Sequence, residues 1–316
     1  MVSTDLIPLI AVVGPTGAGK TEIAVWLAEQ RNGEIVSADS MQVYRGMDIG
    51  SATPSAAELM KAPHHLIDCV DPDTAWTAMD YQVAAQSAIR DIHRRGRQAI
   101  LAGGTGLYVS SILFDLDFSA VPAATVRRQE LEQLARETGR QALHDRLAKL
   151  DPAAAARIHP NNIKKIIRAI EVCETTGKAF PEFLPEEKFN PAYRAAVIGL
   201  TWDREELYRR IEQRVDRMVA DGLAEEVRSL EKYNLDDGCP ALQGIGYKEY
   251  IEYFRKGGDE ESCIAAIKQH SRNFAKRQLT WFRRYPQIRW FNRSELSGKE
   301  LRQAVLEYVD RRLERK

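Results

Sequence analysis

Residues 14 to 21 read GPTGAGKT and match the pattern G-x-x-x-x-G-K-[ST] in full. A loop built from Gly14, Pro15, Thr16, Gly17, Ala18, Gly19, Lys20 and Thr21 can curl so that successive backbone N–H groups point at phosphate oxygens. Lys20 then reaches the terminal phosphate, and Thr21 offers a hydroxyl to Mg²⁺. A second candidate is Asp39 in SADSMQ. A carboxylate across from a phosphate site can take a proton from an incoming nucleophile, although a loop aspartate can equally cap a helix. Nucleotide hydrolases generally add an acidic residue at a strand end to hold Mg²⁺. Here RQAILAGGTG ends in glycines and a threonine, and Asp68 reads at least as well as a turn residue. The loop is therefore better suited to holding a diphosphate than to splitting ATP.

These residues need elements to position them. LIPLIAVV, directly before the loop, reads as a buried parallel strand, and KTEIAVWLAEQRN after it has helical apolar spacing. GEIVSADS, HHLIDCVD and RQAILAGG read as further strands, with helices at YQVAAQSAIRDIHRRG and TGLYVSSILF. Alternating segments of this kind imply an α/β fold with a parallel sheet covered on both faces. Asp39 then falls at a strand's carboxyl end, on the rim where open α/β sheets bind ligands. Thr105 falls at a strand-to-helix junction and can serve as an N-cap. From 115 to 194 the patterns are helical only, and AAVIGLTW then resumes as a strand. We expect a phosphate-loop core formed by 1–114 and 195–316 with an inserted helical domain at 115–194. The remainder reads as helices, with a short strand at IRWF.

At 316 residues, 44% hydrophobic and 28% charged, the chain has the composition of a globular protein. No stretch approaches the roughly 20 apolar residues that span a bilayer, and no basic leader precedes the first strand. A cytoplasmic location and no membrane partner are expected. Cys69, Cys173, Cys239 and Cys263 lack the spacing of a zinc site or disulfide framework. The formal net charge is zero, yet from Met1 to Arg90 five Lys/Arg face eleven Asp/Glu, whereas Ser262 to Ser294 holds eight basic residues and no acidic one. Within that segment Lys268, Arg272, Lys276 and Arg283 recur as one helical stripe, which suits a phosphate backbone. Trp281 and Phe282 at helical spacing read more readily as core than as base-stacking groups. Arg210, Arg214 and Arg217 share one face of another helix, either as an anion clamp or as a solvated face paired with Glu206 and Glu212.

Seven stretches, in order, carry a resemblance: GPTGAGKT, DSMQVYRGMDIGSATP, APHHLID, LAGGTGLY, ARIHPNNIKKIIRAIE, QGIGYKE and AKRQLTWFR. Together they closely resemble the tRNA dimethylallyltransferase (tRNA isopentenyltransferase) family over nearly the whole chain. The resemblance implies a P-loop NTPase-like core and transfer of a dimethylallyl group from dimethylallyl diphosphate to the exocyclic amine of the adenine 3′ of the anticodon. The diphosphate in the loop is then the leaving group. The resemblance assigns diphosphate and Mg²⁺ to Gly14–Thr21, with Arg214 as a second clamp, and catalytic roles to Asp39 and Thr105. It places the target base against Asp39, Ser40, Met41 and Gln42, and the anticodon stem-loop against Gln243, Tyr247, Lys276, Arg277, Gln278 and Arg283. Arg127, Arg128, Lys164, Lys165 and Arg168 of the inserted segment are expected on the same RNA. A compact form without a zinc module is implied, and a monomer is expected. Rival readings are a small-metabolite P-loop kinase, a prenyl transferase acting on free AMP, and an RNA-binding protein with a vestigial nucleotide site. The basic C-terminal helix speaks against the first two, and the joint presence of Lys20, Thr21, Asp39 and Thr105 against the third.

Overall fold

The apolar run after Leu6 forms a strand whose residues Leu9 to Val13 are fully buried, so its side chains need cover on both faces. A computed structural model describes residues 6–114, 116, 125–180, 189–236 and 238–314. In chain order the elements are β1 (Ile7–Val13), α1 (Lys20–Arg31), β2 (Gly33–Ser37), α2 (Asp48–Ser51), α3 (Ala56–Lys61), β3 (His64–His65), α4 (Ala78–Arg94), β4 (Gln98–Gly103) and α5 (Gly106–Leu113). Next come α6 (Thr125–Leu150), α7 (Pro152–Arg157) and α8 (Ile163–Thr176). The chain continues with β5 (Tyr193–Thr201), α9 (Arg204–Ala220), α10 (Leu223–Ser229), α11 (Tyr247–Lys256), α12 (Glu260–Phe282), β6 (Arg289–Asn292) and α13 (Gly298–Leu313).

All six strands join one parallel sheet in the order β3-β2-β4-β1-β5-β6. Because β4 lies between β1 and β2, the carboxyl ends of three neighbouring strands carry the Gly-rich loop, the Asp39 loop and the Thr105 loop. Register fixes their height: Val13 pairs with Gly103 and Ser37 with Ala102. The β2–β4 ladder continues beyond the strands, with Ala38 N–H donating to Ala102 O at 2.8 Å and Thr105 N–H to Ala38 O at 3.0 Å. A Cβ at position 103 would stand 2.1 Å from Ala38 O, so this close approach requires glycine. Residues of α1 and α13 pack with the sheet in one apolar cluster that includes Ile10, Ile23, Leu27, Ile100, Ile198, Leu301 and Val305.

The third expected strand shrinks to two residues. Leu66 (φ 60°) and Asp68 (φ 51°) turn the chain away, and Asp68 N–H donates to Gln42 O at 2.9 Å. Asp68 is thus an exposed turn residue. Four helices escaped the periodicity reading, namely α2, α3, α7 and α11. The first three are 4, 6 and 6 residues long, too short for a repeating stripe to register.

The chain divides into two compact units, Met1–Asp115 with Lys188–Lys316, and Leu116–Glu187. The second is helical among its described residues. Its core gathers Leu131, Leu143, Leu147, Ile166 and Ile170. Thr125–Leu150 is broken at Gly139, whose φ of 85° and ψ of 161° are not helical. Glu171, 1% exposed, is held there by Arg128 at 2.9 Å and Arg168 at 3.5 Å.

Candidate active site

The Gly-rich loop is braced on several sides. Lys20 Nζ donates to Pro15 O at 2.9 Å. Gln278 of α12 accepts from Thr16 N–H at 2.8 Å and donates from Nε2 to Gly104 O at 2.9 Å, so one buried amide joins the loops after β1 and β4. Arg293, just past β6, donates to Ala18 O at 3.2 Å and pairs with Glu22 at 2.8 Å. Gly19 has φ 82°, and a Cβ there would meet Arg293 Nη1 at 1.8 Å. Both the left-handed backbone and the arginine demand glycine at this position. Gln278 and Arg293 were not read as loop braces, because they lie more than 250 residues away in sequence.

Above the loop lies a cavity of about 310 Å³, lined in part by Thr16, Lys20, Thr21, Asp39, Ser40, Met41, Gln42 and Arg214. Desolvation pushes Lys20 down to about 8, the nearby Arg214 guanidinium adds to this, and Asp39 opposes it. Arg214 is also lowered by desolvation, with Asp39 opposing. Two cations held together against their mutual repulsion, with one carboxylate between them electrostatically, form a site suited to a multiply charged anion. The Arg214 guanidinium is aimed by a bond to Ser51 O at 3.3 Å. Its helix neighbours go elsewhere: Arg210 lies over the Trp202 ring at 4.2 Å and pairs with Glu206, and Arg217 is exposed. The three-arginine face therefore divides, with Arg214 alone entering the cavity. Ile211, Val215, Met218, Ile245, Ile267 and Phe274 line the same cavity and give it an apolar wall.

Asp39 follows β2, and its Oδ1 accepts from Met41 N–H at 3.0 Å. Thr105 occupies the N-cap position of α5 but makes no side-chain cap. Its Oγ1 instead accepts from Ser40 N–H at 3.0 Å and donates to Ser40 Oγ at 3.3 Å. Thr105 stands behind the cavity lining and pins the residue next to Asp39. Gln42 is held between Ser37 Oγ at 2.8 Å and Ala52 O at 3.1 Å. The DIGS turn that carries Ser51 is fixed by Glu226, whose carboxylate accepts from the N–H groups of Asp48, Ile49 and Gly50 at 2.7, 2.7 and 2.9 Å. A carboxylate at a helix N-terminus satisfies donors that have no partner within the helix.

A family model described as IPP transferase matches residues 42–285. The chain belongs to the IPP transferase family. A protein named tRNA dimethylallyltransferase from Geobacillus thermodenitrificans is 47% identical over 91% of each chain. Its Bacillus subtilis namesake is 44% identical over 93% of this chain and 95% of its own. Among solved structures, the tRNA isopentenylpyrophosphate transferase of Bacillus halodurans superposes with a TM-score of 0.72 at 42% identity, covering 97% of this chain and 98% of its own. A eukaryotic dimethylallyltransferase described as acting on tRNA gives 0.79 at 26% identity, covering 98% and 81%.

Asp39, Ser40, Met41 and Gln42, expected against the target base, line the cavity, and the other residues this IPP transferase was expected to turn toward RNA fall into three groups. Lys164, Lys165, Gln243, Lys276, Arg277 and Arg283 are exposed, and Gln243 and Arg277 line the cavity. Gln278 and Tyr247 are not at the surface. Gln278 is 5% exposed and spent on the two loops, while Tyr247 is fully buried and donates to Glu226 Oε1 at 2.7 Å. Gln278 lines the cavity while bracing its loops, and Tyr247 supports the site from behind. Arg127 and Arg128 are engaged by Glu174 and Glu171, and Arg168 by Glu171, which makes them ties within the helical unit. The α12 stripe is likewise interrupted. Lys268 pairs with Asp216 at 2.6 Å, and Arg272 pairs with Glu212. The acidic partners come from α9, which a reading of α12 alone misses. Phe282 is core, and Trp281 Nε1 donates to Ser110 Oγ at 3.1 Å. Among the described residues, no group of three or more His, Cys, Asp or Glu gathers as a metal site, and no helix is long and apolar enough to cross a membrane.

Proposed function

We propose that this chain transfers a dimethylallyl group from dimethylallyl diphosphate to the exocyclic amine of the tRNA adenine 3′ of the anticodon, releasing diphosphate. The observation that carries this reading is one cavity holding Lys20 and Arg214 together with Asp39 and an apolar wall. The two cations and the loop N–H groups hold the diphosphate, and the apolar side chains receive the five-carbon chain. The amine nitrogen forms a bond to the terminal allylic carbon while the C–O bond breaks, and the electron pair leaves on the diphosphate. Charge gathering on that oxygen is what the preorganised donors stabilise. An aromatic amine holds its protons tightly, so Asp39 accepts one as the C–N bond forms. Thr105 acts through Ser40, keeping the Asp39 loop in register.

Thr21 in the cavity fits a Mg²⁺ site of the sparse kind, in which one or two protein oxygens suffice and phosphate and water supply the rest. When bound, Mg²⁺ adds charge neutralisation at the diphosphate. The adenine is expected to leave its stack to reach the cavity.

The reading is tested by incubating the protein with carbon-labelled dimethylallyl diphosphate and, in separate tubes, an anticodon stem-loop RNA, AMP, or no acceptor. Label in the RNA alone is expected. Label in AMP and none in RNA would move the acceptor to a free nucleotide and overturn the assignment.

A further inference from the structure

Residues 48 to 52 form a turn whose last two carbonyls each hold a residue of the cavity lining. Ser51 O accepts from Arg214 Nη2 at 3.3 Å, and Ala52 O accepts from Gln42 Nε2 at 3.1 Å. Arg214, on α9, belongs to the grip on the diphosphate, whereas Gln42, after β2, is given to the acceptor base. One short stretch of backbone is therefore bonded to a group for each substrate.

The turn does not keep that shape by itself. Ala52 stands at φ 49° and ψ 57°, a left-handed conformation that residues with a side chain keep only where their surroundings impose it. At 4 residues, α2 is also far too short to be stable alone. Glu226, from α10, supplies what is missing. Its Oε2 accepts from the N–H groups of Asp48 and Ile49, both at 2.7 Å, and its Oε1 from Gly50 N–H at 2.9 Å and the Tyr247 hydroxyl at 2.7 Å. A carboxylate offers about four acceptor positions, and these donors fill them. Burial and the Glu226 charge push the Tyr247 phenol well up, so it stays protonated and donating. The Tyr247 ring also packs on the turn, since a Cβ at position 50 would stand 2.5 Å from it. Glu226 is absent from the cavity lining and acts only through what it holds.

We propose that Glu226 is a positioning residue for both substrates: by pinning the turn at 48–52 it sets the Arg214 guanidinium at the donor diphosphate and the Gln42 amide at the acceptor base. The acceptor half rests on the reaction proposed above. The donor half needs only a ligand that carries a diphosphate.

The test is a double-mutant cycle. Glu226→Gln keeps the size of the side chain but turns one acceptor oxygen into an NH₂ donor, which then faces hydrogens it cannot accept. The Kd of dimethylallyl diphosphate, read by calorimetry without acceptor, should rise about tenfold. A general loosening of the fold would weaken donor binding with or without Arg214, whereas positioning requires that arginine. In an Arg214→Ala background, Glu226→Gln should therefore move the donor Kd by less than about twofold. Gly50→Ala leaves the carboxylate in place and forces the Tyr247 ring off the turn, so it perturbs the same element independently. It should reproduce both the loss of about tenfold and its dependence on Arg214. For the acceptor, KM of an anticodon stem-loop RNA should rise about threefold or more in Glu226→Gln, and by less than about twofold where Gln42→Ala is already present. An equal loss of donor affinity in both Arg214 backgrounds, or no loss in Glu226→Gln and Gly50→Ala, would overturn the proposal. An RNA KM unmoved by Glu226→Gln would overturn its claim on the second substrate. Label transfer by wild type to AMP and not to RNA would overturn the proposed reaction while the donor cycle still stood, so the two failures are told apart.

Discussion

The proposed reaction gives Asp39, in the cavity lining, the role of proton acceptor, and its replacement separates that role from a binding contact. Asp39→Asn keeps shape and loses basicity. Turnover should fall by about 100-fold or more, the usual contribution of a positioned general base, while Kd values for RNA and donor move by less than about threefold. A loss residing mainly in RNA affinity would contradict the role. Lys20 makes a pH prediction. It titrates at about 8 in the free cavity because desolvation and Arg214 outweigh Asp39. A bound diphosphate favours the charged ammonium and raises that value, so donor affinity should be full below about pH 8 and decline as pH rises through it, with proton uptake on binding above that point. Calorimetry in buffers of differing ionisation enthalpy reads the uptake, and pH-independent donor binding between about pH 7 and 9 would contradict it. Lys20, Thr21, Asp39 and Arg214 were legible from motif and resemblance because each touches the cavity directly. Glu226 and Arg293 were not, since their work is done on backbone groups far away in sequence, and no local pattern records that.

Among the helices, α12 shows how a periodicity read on one helix leaves out the carboxylates that a neighbouring helix brings to it. Its basic stripe was visible, but Lys268 and Arg272 are neutralised by α9, and only a packed pair of helices reveals this. Gln278, expected to meet RNA, ties the diphosphate loop to the Thr105 loop. Gln278→Ala leaves Thr16 N–H and Gly104 O without that partner, a loss of roughly 1–2 kcal/mol. KM for dimethylallyl diphosphate should rise about tenfold while RNA Kd stays within about twofold. The reverse split would restore Gln278 to the RNA surface. The sheet itself was readable strand by strand because each strand is an apolar run before a turn. The exception was HHLIDCVD, where positive φ at Leu66 and Asp68 stops the strand after two residues.

The folded chain as a unit depends on an acidic residue that no motif flagged. Glu34, on β2 and 3% exposed, accepts from Arg95 and from Arg97 at 3.0 Å, and bonds His65 at 2.7 Å. Hydrogen bonds from Arg95, opposed by burial and aided by His65, hold its carboxyl down at about 2 against an ordinary 4.5. A depressed carboxyl contributes stability that is complete above its unfolded value, so this contribution should be lost as pH falls from about 4.5 through about 2. Glu34→Gln should cost about 3 kcal/mol at neutral pH, read by denaturant unfolding, and should flatten the acid decline in that window. The claim on which the account turns is that diphosphate leaves from carbon and not from phosphorus. Turnover with dimethylallyl diphosphate labelled in both carbon and phosphorus, in the presence of an anticodon stem-loop RNA, measures this directly. The account predicts carbon label in the RNA and phosphorus label released as diphosphate, one for one; phosphorus label in the RNA, or release of γ-phosphate from added ATP with the RNA left unprenylated, would contradict it.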